Sequence, residues 1–333
     1  MLAPHPRPHP HPRPRPDPLS ALDASDPGPP PAIRTWDLRK SYRGVEAVRG
    51  IDLTVGQGEM FGFLGPNGAG KTTTIAMLCT LAVPTGGRAE VAGHDTRRQP
   101  DRVRHAIGLV FQETTLDGDL TAAENLRFHA DLYALPLATL PARIDAILDL
   151  LGLLDRRDDF VRTFSGGMRR RLEIARGLLH EPRVLFLDEP TLGLDPQARR
   201  LVWDHLARVR ERRATTLFVT THYLEEAERC DRIAIIDAGR VAALGTPAGL
   251  KSVLGADRIE LRTGDDDAAA AVLRDRFGLA AAAGPDGLRF QAEDGAALVP
   301  RLCGALDVPV HSVTVTPPSL DDVFFHYTGR DLE

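Results

Sequence analysis

"MFGFLGPNGAGKTTTIAMLCTL", residues 60 to 81, decides the fold class of this chain. Residues 60–64 are apolar and read as a buried strand. Gly65, Pro66, Asn67, Gly68, Ala69, Gly70, Lys71 and Thr72 follow, with Thr73 beside them, and a helical stretch comes next. This satisfies G-x-x-x-x-G-K-S/T in the strand–loop–helix setting that gives the pattern its meaning. Glycines let the backbone wrap a phosphate, so that successive N–H groups point inward at the start of a helix, where an anion is favoured. Lys71 would reach the β- and γ-phosphates, and the Thr72 hydroxyl would ligate Mg²⁺. A glycine-rich turn without function accounts poorly for strand, loop, Lys-Thr pair and helix together. The pattern predicts nucleotide binding and leaves the use of the nucleotide open.

Outward from this loop, from Ile33 onward, short apolar runs alternate with helical stretches, the mark of a mainly parallel α/β sheet. A second polar site closes "PRVLFLDEPTLGLDP" (182–196). Val184 to Leu187 form an unbroken apolar run, as in a central parallel strand covered on both faces. Asp188 is therefore expected at the carboxyl end of that strand, where open α/β sheets bind ligands, and suits a Mg²⁺ shell. Glu189, one residue on, is placed to polarise an attacking water as general base. Two adjacent acids ending a buried strand have no cheap structural explanation, because unpaired buried charge is costly.

The 333 residues allow one large or two modest domains. A net charge of −5 supplies no basic field, so no nucleic-acid partner is expected. Cys79, Cys230 and Cys303 are far apart and read as reduced, buried thiols. Apolar runs such as residues 75–83 fall well short of the ~18 residues of a membrane span. Residues 1–32 hold 12 of the 26 prolines and read as a solvated polyproline tail or an over-long gene start. His5, His9 and His11 offer only a weak metal-binding alternative there. The remaining histidines outside the motifs show no metal-ligand spacing and are read as surface residues.

"FSGGMRRRLEIARG" (164–177) turns this general reading into a specific one. The phosphate loop, "FSGGM", "VLFLDE" and "THYLEEAE" occur in that order, and over roughly residues 33–250 the chain resembles the ATP-binding cassette of ABC transporters. The resemblance implies a phosphate-loop cassette with a mainly parallel core sheet, a β subdomain and a helical insert at about 113–165. It implies ATP and Mg²⁺, and two cassettes packed head to tail, with Ser165, Gly166 and Gly167 of one capping the ATP held by the other. The start of a helix suits that task, because its free N–H groups and dipole favour an anion. Where the family usually carries glutamine after the second glycine, this chain has Met168. Arg169, Arg170 and Arg171 point in different directions on a helix and are read as a mostly solvated face.

Further positions carry over one at a time. Tyr42 matches the aromatic that stacks on adenine, and Gln112 the glutamine that senses Mg²⁺ and the membrane partner. Asp195 matches the loop that communicates across the dimer, and His222 the switch histidine at the γ-phosphate. Within the insert, Thr121 and Glu124 make a capping box, and Ile144, Ile147, Leu148 and Leu151 form one helix face expected to pack against the rest of the insert.

Residues 256–333 read as a small C-terminal α+β domain. "DRIELR", "LRFQ" and "VHSVTVT" are strands, and two helices and a broken helical stretch complete it. With "SGGMRRRLEIA" and "PTLGLDP", this arrangement resembles the daunorubicin-resistance type of drug-export ATPase. That resemblance implies an ATP-hydrolysing subunit, peripheral on the cytoplasmic side of the cell membrane, acting with a separately encoded permease. A soluble mechanical ATPase working on ribosomes or DNA is the alternative.

Overall fold

The computed structural model describes residues 30–284 and 287–330. Residues 1–29, with His5, His9 and His11, lie outside the described residues, and so do the expectations stated for them. Residues 30–32, assigned above to the tail, are described. Ala32 is buried and its N–H bonds to the Val55 carbonyl.

Strands β1 (Ile33–Tyr42) and β2 (Val45–Val55) form an antiparallel hairpin. Strand β3 (Met60–Leu64) leads through the phosphate loop into α1 (Lys71–Leu78). Strands β4 (Gly86–Val91) and β5 (His94–Asp95) then complete a four-stranded sheet of order β2-β1-β4-β5. Helix α2 (Pro100–Ala106) delivers the chain to β6 (Ile107–Val110), and the insert carries α3 (Ala122–Leu132) and α4 (Leu140–Leu150). Helix α5 (Gly166–Leu178), β7 (Val184–Asp188), α6 (Pro196–Arg213) and β8 (Thr216–Thr221) follow. The short helix α7 (Leu224–Ala227), β9 (Arg232–Asp237), β10 (Arg240–Gly245) and α8 (Pro247–Ser252) end this part.

The central sheet runs β10-β9-β3-β8-β7-β6, with β10 its one antiparallel member. Alternate side chains of each strand enter different cores, as a period of two requires. Phe61, Phe63, Phe186 and Phe218 join α1 and the β1–β2 hairpin. Met60, Leu64, Leu185, Leu187, Leu217 and Val219 join the helices of the opposite face. This layered α/β cassette is the expected fold class.

The capping box of Thr121 and Glu124 is formed at the head of α3. Ile144, Ile147, Leu148 and Leu151 are buried, but their cluster extends beyond the insert to Leu172 and Ile174 of α5 and Val202 and Leu206 of α6. The insert is thus seated on the cassette helices rather than built around a core of its own.

Strands β11 (Asp257–Thr263), β12 (Ala282–Gly284), β13 (Gly287–Ala292) and β14 (Val310–Thr316) make a third sheet, of order β12-β13-β11-β14. Helices α9 (Asp266–Phe277) and α10 (Gly295–Ala305) cover it, burying Leu273, Leu298 and Leu302. The stretch read as broken is one continuous helix through Pro300. Cys79 and Cys230 are buried, but Cys303 is exposed, because Leu302 takes the inward face of α10 and its neighbour turns outward.

Helix α11 (Leu320–Thr328), capped by Ser319 and Asp322 and ended by Gly329, leaves this sheet. It buries Leu320, Val323 and Phe324 in the core cluster that holds Leu250 and Ala243. Each such side chain contributes roughly 1.5–3 kcal/mol on burial, so the last helix fastens the C-terminal sheet to the cassette.

Candidate functional site

The phosphate loop spans the gap between β3 and α1. At Gly70 the backbone has φ 107°, and a Cβ there would lie 2.6 Å from the Ala47 carbonyl, so only glycine fits. Lys71, 5% exposed, donates to the carbonyls of Gly65 at 2.7 Å and Pro66 at 3.1 Å. Those bonds fold its ammonium back under the loop. Its Nζ also lies 3.1 Å from Glu189 Oε1.

Glu189 follows β7 directly and has φ 47°, a strained backbone for a non-glycine residue. Its N–H donates to Thr220 Oγ1 at 2.9 Å, and that hydroxyl donates in turn to Asp188 Oδ1 at 2.6 Å. One buried threonine on the neighbouring strand thereby holds the Glu189 backbone and the Asp188 carboxylate. His222 Nδ1 approaches Glu189 Oε2 to 3.4 Å without a hydrogen bond, its ring against Tyr223 at 4.1 Å between centroids.

A cavity of about 170 Å³ opens at this point, lined by Asn67, Gly68, Lys71, Thr72, Gln112 and Glu189 among others. The fold therefore gathers the loop, Gln112 and Glu189 from three separate stretches. Asp188 lies 4% exposed behind Glu189, in the same Thr220 network. Tyr42, 46% exposed at the end of β1, stands outside the cavity lining, with Lys40 Nζ 4.8 Å from its ring centroid. Asp195 caps α6, accepting from the N–H groups of Gln197 and Ala198 at 3.0 and 2.8 Å.

Ser165 is the N-cap of α5, accepting from the Met168 N–H at 3.3 Å, and Ser165 and Gly166 are exposed. Neither residue lines the cavity of its own chain. At Gly167 a Cβ would come within 2.9 Å of Ala198 Cβ, so packing against α6 is itself a reason for glycine there. Met168 turns inward onto the core, which accounts for an apolar residue at that position.

The arginine run is not a solvated face, because every member has a carbonyl to satisfy. Arg169 donates to Phe164, and Arg171 to Leu151 and Gly152. Arg170, 7% exposed, donates to Phe111 and Gln112. Burial pulls the Arg170 guanidinium below its usual pKa, and Glu173 and Asp188 oppose that shift. Of the remaining histidines, His105, His311 and His326 are exposed as expected, while His129, His180 and His205 depart from the surface reading. His205 is buried with Nδ1 2.9 Å from the Leu150 carbonyl, while Tyr133 stacks on His180 at 4.0 Å and meets His129 at 4.9 Å.

Sequence reasoning passed over Glu226. It is 3% exposed and accepts from Thr221 at 2.7 Å and, through its other oxygen, from Thr191. One carboxylate thus ties the segment after Glu189 to the segment before His222. The available signal was a charged residue four positions beyond His222 on a helix that is otherwise short.

The chain is similar to known proteins over most of its length. The ABC transporter family model matches residues 48–192. The daunorubicin/doxorubicin resistance ATP-binding protein DrrA of Streptomyces peucetius is 43% identical over 92% of this chain and 94% of its own length. The Nod factor export ATP-binding protein I of Ralstonia nicotianae is 39% identical over 92% of this chain and 96% of its own length. A solved ATP-binding cassette, dimeric and bound to ADP and phosphate in a post-hydrolysis state, superposes with a TM-score of 0.58. It is 26% identical and covers 64% of this chain and 98% of its own.

Proposed function

The chain belongs to the ABC transporter family as an ATP-binding subunit, and from that premise we propose that it works as a homodimer driving export through a separate permease. Its activity is ATP hydrolysis. The observation that carries the fuller reading is the meeting of Lys71, Thr72, Gln112 and Glu189 on one cavity, while Ser165 and Gly166 are exposed elsewhere. A site so divided is completed when a second copy brings its α5 N-terminus to the γ-phosphate.

In that dimer Lys71 and the loop amides from Gly65 to Thr73 hold the phosphates, and Tyr42 stacks on the adenine. Glu189 takes the proton of the attacking water, and His222 holds the γ-phosphate end of the reacting line. Asp195, at the head of α6, faces the partner. Oxygens of Thr72, Gln112 and Asp188 make a donor set suited to a hard divalent cation such as Mg²⁺. When bound, that cation offsets the charge on the phosphate oxygens.

Among the described residues no helix is long and apolar enough to cross a membrane, so the permease supplies the transport path. Helix α3 exposes Phe128 (62%) and Leu132 (68%) one turn apart, in the insert between Gln112 and the signature. An apolar pair on that surface suits docking on a membrane subunit at the cytoplasmic face. The names of the relatives suggest a drug-like or hydrophobic compound as the cargo. Nothing in the comparisons favours ribosomes or DNA.

The test is fractionation with and without the co-encoded permease, followed by ATP-driven uptake into inverted vesicles. Sedimentation with membranes only beside the permease, and uptake lost in Lys71→Ala, are the expected results. Co-purification with ribosomes beside every candidate permease would overturn the reading.

A further inference from the structure

We propose that Arg170, braced by Glu173, is the positioning residue that sets Gln112 at the nucleotide cavity and binds it mechanically to the signature helix. The inference rests on the reading of Gln112 given above. Strand β6 ends at Val110, and residues 111–116 lack regular secondary structure, so their backbone groups need partners from outside the sheet. Helix α5 supplies them. Arg170 spreads its guanidinium over two successive carbonyls, Nη1 donating to Phe111 at 2.5 Å and Nη2 to Gln112 at 2.7 Å. Glu173, 1% exposed, takes Arg170 Nη1 at 3.1 Å on one oxygen. Its other oxygen accepts the Thr115 N–H at 2.7 Å. Arg176 donates to the Thr115 carbonyl at 3.1 Å and also to the Thr115 hydroxyl.

Arg170, Glu173 and Arg176 recur every third residue, so one face of α5 grips the segment from Phe111 to Thr115 as a unit. Ser165 caps the same helix five residues before Arg170. Any force on the exposed head of α5 is therefore transmitted to the backbone of Gln112, which lines the cavity of its own chain. The planar fork is what spans two carbonyls, and lysine cannot reproduce it.

The experiment uses the full-length protein with Arg170→Lys, which keeps a cation beside Glu173, and Glu173→Gln, which keeps the shape. Melting temperature, ATP affinity, kcat and backbone amide exchange over 111–116 are measured for each. Both variants should fold and bind ATP as the wild type does. The kcat should fall about 10–100-fold, as for outer residues that orient a site. Within 111–116 the Thr115 N–H, held by Glu173, should exchange about tenfold faster, the equivalent of one lost hydrogen bond. Unchanged kcat, or a lowered kcat with unchanged exchange over 111–116, would overturn the proposal. Lys71→Ala is the control. If that variant hydrolyses ATP like the wild type, the nucleotide-site reading itself has failed; if only the Arg170 and Glu173 variants behave as wild type, the positioning role alone has failed.

Discussion

Lys71 Nζ lies 3.1 Å from Glu189 Oε1, with the two side chains 5% and 9% exposed. The cation proposed for the phosphates and the carboxylate proposed as base thus neutralise each other in the cavity wall. A γ-phosphate competes with Glu189 for Lys71, and binding substrate would release the base for its water. A buried pair of this kind is a poor source of stability but a sensitive place to remove one partner.

Glu189→Gln removes the base while keeping size and hydrogen bonding. ATP should still bind, and turnover measured by phosphate release should fall ~10²–10⁴-fold. Light scattering should show an ATP-dependent dimer accumulating, since hydrolysis no longer opens it. Near-normal turnover would refute the assignment.

Lys71→Ala leaves the Glu189 carboxylate without its counter-charge. Breaking a buried pair costs roughly 3–5 kcal/mol in closed interiors, and less here because the cavity opens to water. The melting temperature should drop in Lys71→Ala and largely recover in Lys71→Ala/Glu189→Gln. A double variant no more stable than the single one would show that the pair is not coupled.

Ser165→Arg should leave ATP affinity of the isolated subunit unchanged and abolish hydrolysis, because Ser165 lies away from its own cavity. Mixed with Lys71→Ala subunits it should regain hydrolysis above either parent, since each mixed dimer keeps one intact composite site. A Ser165→Arg protein that hydrolyses ATP normally would remove the signature from the mechanism.

Glu226→Ala leaves the hydroxyls of Thr191 and Thr221 without their acceptor. A buried group left unsatisfied costs about 1–3 kcal/mol, visible in urea unfolding. Because the two threonines flank the Glu189 and His222 segments, kcat should fall further than ATP affinity. Glu226→Gln, which still accepts hydrogen bonds, should recover part of the kcat; identical losses in both variants would mean that the carboxylate does not align the loops.

Burial, helped by the charges of Arg176 and His180, holds the His129 imidazole down at about 4 against an ordinary 6.5. His129 is therefore neutral in the folded protein, while the unfolded chain takes up a proton below pH 6.5. The stability it contributes is complete above pH 6.5 and is lost as pH falls toward 4. The loss is roughly 1–2 kcal/mol once screening of the partly exposed ring is allowed for. Thermal melting across that interval should show a shallower slope in His129→Gln than in the wild type; equal slopes would exclude His129 as the group responsible.

What the sequence determined by itself is what short-range chemistry encodes. The phosphate loop was legible because strand, glycines, Lys-Thr and helix lie within 22 consecutive residues. Asp188 and Glu189 were legible as the polar end of an apolar run, and α5 as a helix beginning at Ser165, Gly166 and Gly167. Tertiary structure alone decided the rest. The arginine run looked solvated because the partners of Arg170 stand 59 and 58 residues away. Backbone carbonyls left open by the end of a strand carry no side-chain mark in a sequence. Glu226 escaped notice because it joins Thr221, at the end of β8, to Thr191, which lies 35 residues from Glu226 in the chain. Helix α11 shows a capping box in its sequence and nothing of its destination. An apolar stripe records that a face is buried, and only the packed chain determines what buries it.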